Sequence, residues 1–109
     1  MANVYKILGQ LATSATTETD LYTVPSATST VCSSIVVCNR GGVATTFRVS
    51  VSAAGAATGN KDYIYYDVTI AGNDTFVATV GVTLATTDVV RAYAGNSNLS
   101  FQIYGTEIS

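Results

Sequence analysis

The chain contains no histidine and no tryptophan, a single proline, two cysteines and little charge, with 11% of its 109 residues charged. Each shortage removes a class of function. Without His, the commonest general base and metal ligand is missing. A serine nucleophile then has few partners to activate it, because Lys6 and Lys61 are the only lysines and neither has a Ser three residues before it. A soluble domain averages about 25% charged residues, so this chain carries about half that share. Five Lys and Arg against seven Asp and Glu, with a pI near 4.6, leave no basic footprint for nucleic acid. No apolar run approaches about 18 residues, so no segment reads as a membrane-spanning helix. Residues 1–11 carry one Lys and no apolar block ahead of a small-residue cleavage site, which is not the pattern of a signal peptide. These features lead us to expect a soluble protein made inside a cell. The length fits one domain, and burial of about two-thirds of the unfolded surface lets it fold without metal or disulfide.

Hydroxyls replace the missing charge. Seventeen Thr and ten Ser make up about a quarter of the chain. Apolar residues alternate with a period of two almost throughout, and no stretch keeps a 3.6-residue stripe for three turns. Val31, Ser33, Ile35 and Val37 share one parity; Cys32, Ser34, Val36 and Cys38 share the other. Phe47, Val49 and Val51 alternate with Arg48, Ser50 and Ser52, and Leu99, Phe101 and Ile103 with Ser100, Gln102 and Tyr104. The enrichment in Thr, Val, Ile, Tyr and Phe suits a pleated, half-buried surface. The expected strands are 4–10, 20–25, 30–39, 45–53, 62–70, 74–84, 88–94 and 98–105. About eight strands with short turns predict an all-β fold, an antiparallel two-sheet β-sandwich of Ig-like or jelly-roll-like type.

Turn-forming residues separate the runs: Pro25-Ser26-Ala27, Asn39-Arg40-Gly41-Gly42, Ala71-Gly72-Asn73-Asp74 and Gly95-Asn96-Ser97-Asn98. The last of these is short enough to predict a hairpin between the final two strands. The Gly/Ala-rich stretch 53–60 predicts a longer, flexible loop. Residues 13–19, almost devoid of apolar side chains, link a first strand in residues 1–12 to the sandwich of residues 20–109, the whole forming one domain. That link reads as an ordinary loop or as a hinge that lets residues 1–12 act as an arm and add a strand to a neighbouring subunit.

No catalytic constellation emerges. Asp62 and Asp67 flank Tyr63-Ile64-Tyr65-Tyr66, and their odd separation places them on opposite faces of a strand, which argues against a paired-carboxylate hydrolase. Asn73, Asp74 and Asp88 lack the dense acidic loop of a calcium site and read as turn residues. No phosphate-cradling glycine motif occurs. We therefore expect no enzyme activity, no cofactor and no metal. Cys32 and Cys38, six residues apart in one strand, should share a face about 20 Å apart. A disulfide needs Cα atoms within about 7 Å, so an intrachain bond is excluded on that reading. They read as small core residues, or one of them as a link to a neighbouring subunit. Tyr63 and Tyr65 should face one side of their strand, and Tyr66, Ile64 and Val68 the other. Tyr63, Tyr65, Tyr66, Arg48 and Arg91 are the candidate interface residues, either as packing or as a surface for sugar or protein.

The stretches LYTVPSATSTVCSSIVVCNRGGVATTFRVSVSAAG, KDYIYYDVTIAGNDTF and VGVTLATTDVVRAYAGNSNLSFQIYGTEIS resemble a family of small β-rich virion-associated structural proteins of tailed bacteriophages, cyanophages prominent among them. The resemblance spans nearly the whole chain and is most specific at LYTVP, at SSIVVCNRG and at TDVVRAYAG with LSFQIYG. It implies a component of the phage particle, made in the host cytoplasm and carried in the virion. The expected role is a capsid decoration or cement protein that binds major-capsid subunits as a homo-oligomer, dimer or trimer. Tail, collar or baseplate accessory subunits are the neighbouring expectation, with tail or neck proteins as partners. A host-surface or carbohydrate-binding module built on the tyrosines is the third. The resemblance names no active site.

Overall fold

A computed structural model describes residues 2–109. Eight strands form within one or a few residues of the positions the alternation marks: β1 (Asn3–Ala12), β2 (Thr19–Thr23), β3 (Ser29–Asn39), β4 (Thr45–Ser52), β5 (Tyr63–Ile70), β6 (Thr75–Leu84), β7 (Val89–Ala94) and β8 (Leu99–Ile108). The only helical pieces among the described residues are two single 3₁₀ turns, Ala53–Gly55 and Asn60–Asp62. The fold is all-β, two antiparallel four-stranded sheets packed face to face.

Sheet A has the order β1-β8-β3-β6 and sheet B the order β2-β7-β4-β5. First pairs with eighth, second with seventh, third with sixth and fourth with fifth. That is one long hairpin rolled around a barrel-like core, the jelly-roll topology, and it selects the jelly-roll over the Ig-like form of the sandwich. The expected hairpin between the last two strands does not form: β7 lies in sheet B and β8 in sheet A, so residues 95–98 cross between sheets. The reason is packing, since Leu99, Phe101 and Ile103 of β8 are fully buried at the centre of sheet A, between β1 and β3. β1, the candidate arm, pairs along its length with β8 of the same chain, and its Leu8 enters the core.

Residues from both sheets fill the space between them. Ile35, Val37, Leu99, Phe101 and Ile103 come from sheet A, and Phe47, Val49, Val90, Ala92 and Ala94 from sheet B. The Phe47 ring lies 5.1 Å from Phe76, 6.2 Å from Tyr65 and 6.3 Å from Phe101, in tilted and edge-on contacts.

β-Bulges overturn two of the face assignments. The register of β3 shifts between Cys32 and Ser34 against both its neighbours, with Ser33 as the extra residue opposite β8. A one-residue insertion moves every later side chain to the other face. Thr30 and Cys32 therefore point into the core before the bulge, and Ile35, Val37 and Asn39 after it. Cys32 is buried and Cys38 half-buried on the opposite, outer face; the two cysteines do not share a side. A matching irregularity at Leu8 lets β1 follow the same bend. In β5 the bulge falls at Tyr66-Asp67, where Asp67 adopts the left-handed conformation (φ 51°). Tyr65 and Val68 consequently both pack on the core, while Ile64 and Tyr66 are exposed.

Two polar clusters fasten the ends. At one, the loops 40–44, 71–74 and 95–98 meet: Arg40 N–H donates to Asn98 O, Asn73 N–H to Gly41 O, and Asn39 N–H to Asp74 O. The Asn39 side chain, 1% exposed, donates through Nδ2 to the carbonyls of Val43 (2.9 Å) and Ala71 (3.2 Å), and its Oδ1 accepts from Gly41 N–H. Towards the other end, Tyr22 of sheet B donates its hydroxyl proton to Glu107 Oε2 of sheet A at 2.6 Å. The Thr30 hydroxyl lies 2.8 Å from the same Tyr22 oxygen, and Lys6 Nζ donates to Glu107 Oε1 at 3.1 Å.

Candidate functional site

The two outer faces of the sandwich differ in chemistry. On sheet B, Arg48 (β4) and Tyr93 (β7) are directly opposed and point outward. The Arg48 guanidinium sits between two rings, 4.3 Å from the Tyr66 centroid and 4.5 Å from the Tyr93 centroid. Its Nε donates to Asp67 Oδ1 at 2.7 Å. The bulge makes this pairing: by setting Asp67 in the left-handed region it aims the carboxylate back across β5 at Arg48. The hydrogen bond to the Asp67 carboxylate above all, with the flanking rings, holds Arg48 firmly cationic. Tyr63 meets Tyr66 edge to face at 4.8 Å. The result is a row of planar groups in contact, running across β5, β4 and β7.

The stretch 53–62 folds over the same face. Arg91 anchors it: Nη1 donates to Ala56 O (2.7 Å), Ser52 Oγ (3.0 Å) and Thr58 Oγ1 (3.1 Å), Nη2 to Gly55 O (3.1 Å), and Nε to Asp20 Oδ1 (2.8 Å). This segment is therefore a clamped cover, and Ser50 and Ser52 beneath it are buried although they lie on the outward parity of β4. Asp62 closes the second turn by accepting from Gly59 N–H, which together with Lys61 holds its carboxyl below the usual range. Asn60, Tyr63 and Tyr66 line an open cleft of about 390 Å³ beside the cover.

Of the five sequence candidates, Tyr63, Tyr66 and Arg48 come together in the row, Arg91 is spent on the cover, and Tyr65 lies between Phe47 and Phe76 at the edge of the core. Tyr93 completes the row and carried no signal of its own; only its register opposite Arg48 places it there. Asp62 and Asp67 each serve a different local partner, in the turn and in the bulge. Asp88 caps backbone amides, accepting from Ala54 and Ala85 N–H. Among the described residues no three His, Cys, Asp or Glu side chains gather closely enough to hold a metal ion.

The outer face of sheet A is a different surface. The register pairs Tyr5 with Thr106, Val31 and Thr83; Ile7 with Tyr104, Ser34 and Thr79; Gln10 with Gln102, Val36 and Val77. A last row carries Ala12, Ser100, Cys38 and Thr75. None of the Lys, Arg, Asp or Glu residues lies on this face; the two charges of sheet A, Lys6 and Glu107, sit on the opposite parity. Tyr5 (81%), Val77 (64%) and Ile7 (49%) are its exposed apolar groups. The sequence signal for this surface was the shortage of charge itself, but the faces could be told apart only once the bulges were known. No family model, curated protein or solved structure matches the chain.

Proposed function

We propose that the chain is a non-enzymatic structural subunit of a tailed-phage particle, a capsid decoration or cement protein that stabilises the head by binding major-capsid subunits. The observation that carries this reading is the charge-free outer face of sheet A. Such a face can be covered without stripping water from an ion, and its adhesion is little affected by salt. Four strands about 4.8 Å apart and roughly 33 Å long make about 600 Å². Covering that area from both sides buries about 1,200 Å² in total, the lower bound for a specific contact, and many equivalent copies then add up by multivalency. The resemblance of the sequence to small virion proteins supports the same reading, and jelly rolls recur in viral capsids. Fold alone assigns no function, so the face and the resemblance carry the weight.

The test is particle stability. Particles lacking the protein should burst at lower temperature or milder osmotic shock, and added protein should restore them. A Gln102→Lys variant, with a charge at the centre of the face, should fail to restore. Unchanged bursting without the protein refutes the cement role. Labelling of intact particles on the neck or tail would move the subunit to a tail, collar or baseplate position. The cleft at Asn60, Tyr63 and Tyr66 favours a second reading, a module that binds host-surface carbohydrate. Glycan-array binding lost on Tyr66→Ala would favour it, although Arg48 already occupies one side of that ring.

A further inference from the structure

A jelly roll of two separate sheets has four edge strands, and an edge exposes unpaired N–H and C=O groups unless something blunts it. Three of the four are blunted. β2 is five residues long, carries Asp20 and is followed two residues on by Pro25. β5 is broken by two register shifts and carries Asp67 in the bulge. β1 carries Lys6 and the irregularity at Leu8. β6 is ten residues long with neither charge nor proline. Its one register irregularity lies between Thr79 and Val82, so Thr75–Thr79 runs as an unbroken strand.

We infer that β6 is a docking edge for a second copy of this chain, pairing antiparallel with the partner's β6 about a two-fold axis at Val77. The occupant follows from self-complementarity. With Val77 opposite its own counterpart, residue 75 falls opposite 79 and residue 76 opposite 78. Both outward hydroxyls, Thr75 and Thr79, then meet each other, and the exposed Val77 side chain meets its equal on the outer face. On the inner face the half-buried Phe76 of each copy lies over the small Ala78 of the other, a large-to-small fit made twice. An uncharged strand offers nothing to a charged partner. Pairing also joins two outer faces of sheet A into one charge-free surface of eight strands, which doubles the area available for adhesion. The inference shares with the proposed function only the expectation of a homo-oligomer and is read on the free protein. Loss of particle binding with an intact dimer would therefore count against the particle role alone.

The experiment places single cysteines in a Cys38→Ser background, where the remaining Cys32 is buried. Opposed residues of an antiparallel pair have Cα atoms about 4.5–5.5 Å apart, inside the disulfide range. Val77→Cys should crosslink to a dimer on mild oxidation. Thr75→Cys should not, because the two copies of that residue lie about 14 Å apart along the strands. Val36→Cys, on the outer face one strand inward, should not either. Light scattering should show wild-type dimers, monomers for Val77→Lys and for Val77→Glu alone, and dimers again when those two variants are mixed. Circular dichroism of the variants controls for folding, which a 64%-exposed position tolerates. Wild-type protein that stays monomeric at about 1 mM overturns the inference. Preferential crosslinking at residue 36 overturns it in favour of face-to-face packing, and a mixture of the Lys and Glu variants that stays monomeric overturns it as well.

Discussion

Tyr22→Phe is the sharpest probe of how the two sheets are held together. The substitution keeps the ring, which is 8% exposed, and deletes one oxygen. That oxygen donates to the Glu107 carboxylate and lies beside the Thr30 hydroxyl, itself 1% exposed. A hydrogen bond to a charged acceptor contributes about 1.5–3 kcal/mol, and a buried hydroxyl left alone adds to the loss. Burial first, and then the bond to Glu107, push the Tyr22 hydroxyl from 10.0 up to about 12, so the phenolate is disfavoured in the folded protein. We therefore expect Tyr22→Phe to lose about 2–3 kcal/mol at pH 7, a fall in Tm of about 10–20 °C for a domain of this size. The pH dependence carries the sign. Because the folded value is raised, the tyrosine's contribution is fully present below about pH 10 and is lost as pH climbs from about 10 to about 12. Glu107 is displaced the other way, lowered chiefly by the Tyr22 bond and then by Lys6. Its contribution is present above the ordinary carboxylate range and fades as pH falls below about 4. Urea unfolding of wild type and variant between pH 3 and 11.5 reads both limbs. The variant should lack the alkaline decline assigned to Tyr22 and show a shallower acid one. A variant within about 0.5 kcal/mol of wild type at pH 7, or one with an undiminished alkaline decline, would refute this account.

Asn39→Ala should cost about 2–4 kcal/mol in urea unfolding, because it strands the Val43 and Ala71 carbonyls and the Gly41 amide where three loops meet. Gly105→Ala should destabilise by more than about 2 kcal/mol, since a Cβ there would collide with the Val31 carbonyl oxygen and lie 3.0 Å from Cys32 Cα. Gly42→Ala, which meets open space, should stay within about 0.5 kcal/mol and serves as the control. A maleimide should label Cys38 in the native protein but Cys32 only on unfolding, because Cys32 is 2% exposed and burial pushes its thiol up. Equal labelling rates would contradict the parity inversion at Ser33.

Alternation was enough to place all eight strands, because Val, Phe, Ile and Tyr mark the period even in β1, where Leu8 alone is buried. Side assignment failed at the bulges of β3 and β5. In Thr30–Asn39 the residues around the bulge are Cys32, Ser33, Ser34 and Ile35, small or apolar groups tolerated on either face, so nothing in the sequence registers the inversion. A charged residue stranded on the wrong parity would have betrayed it, and this chain has too few. The Arg48 row escaped for a related reason: it depends on Asp67 standing in the left-handed region, a conformation open to Asp without being encoded by it. The cover over sheet B was hidden in a Gly/Ala-rich stretch whose order comes from Arg91, some thirty-five residues away. Sheet order was not legible, since it rests on which pairs meet across the chain.

The pairing of first strand with eighth has a consequence for biosynthesis. β8 is the middle of sheet A, and β1 and β3 have no sheet neighbour in common until it arrives. Its three buried residues also complete the core for sheet B. While the chain emerges from the ribosome, β1 and the edge of β3 that faces β8 must wait, exposed, for Leu99–Ile108. Sheet A therefore closes only once Leu99–Ile108 has been made, and pairings this distant in sequence fold on the slow scale of roughly milliseconds to seconds. During that wait, the uncharged Thr- and Val-rich strands have little but their hydroxyls to keep neighbouring nascent chains apart.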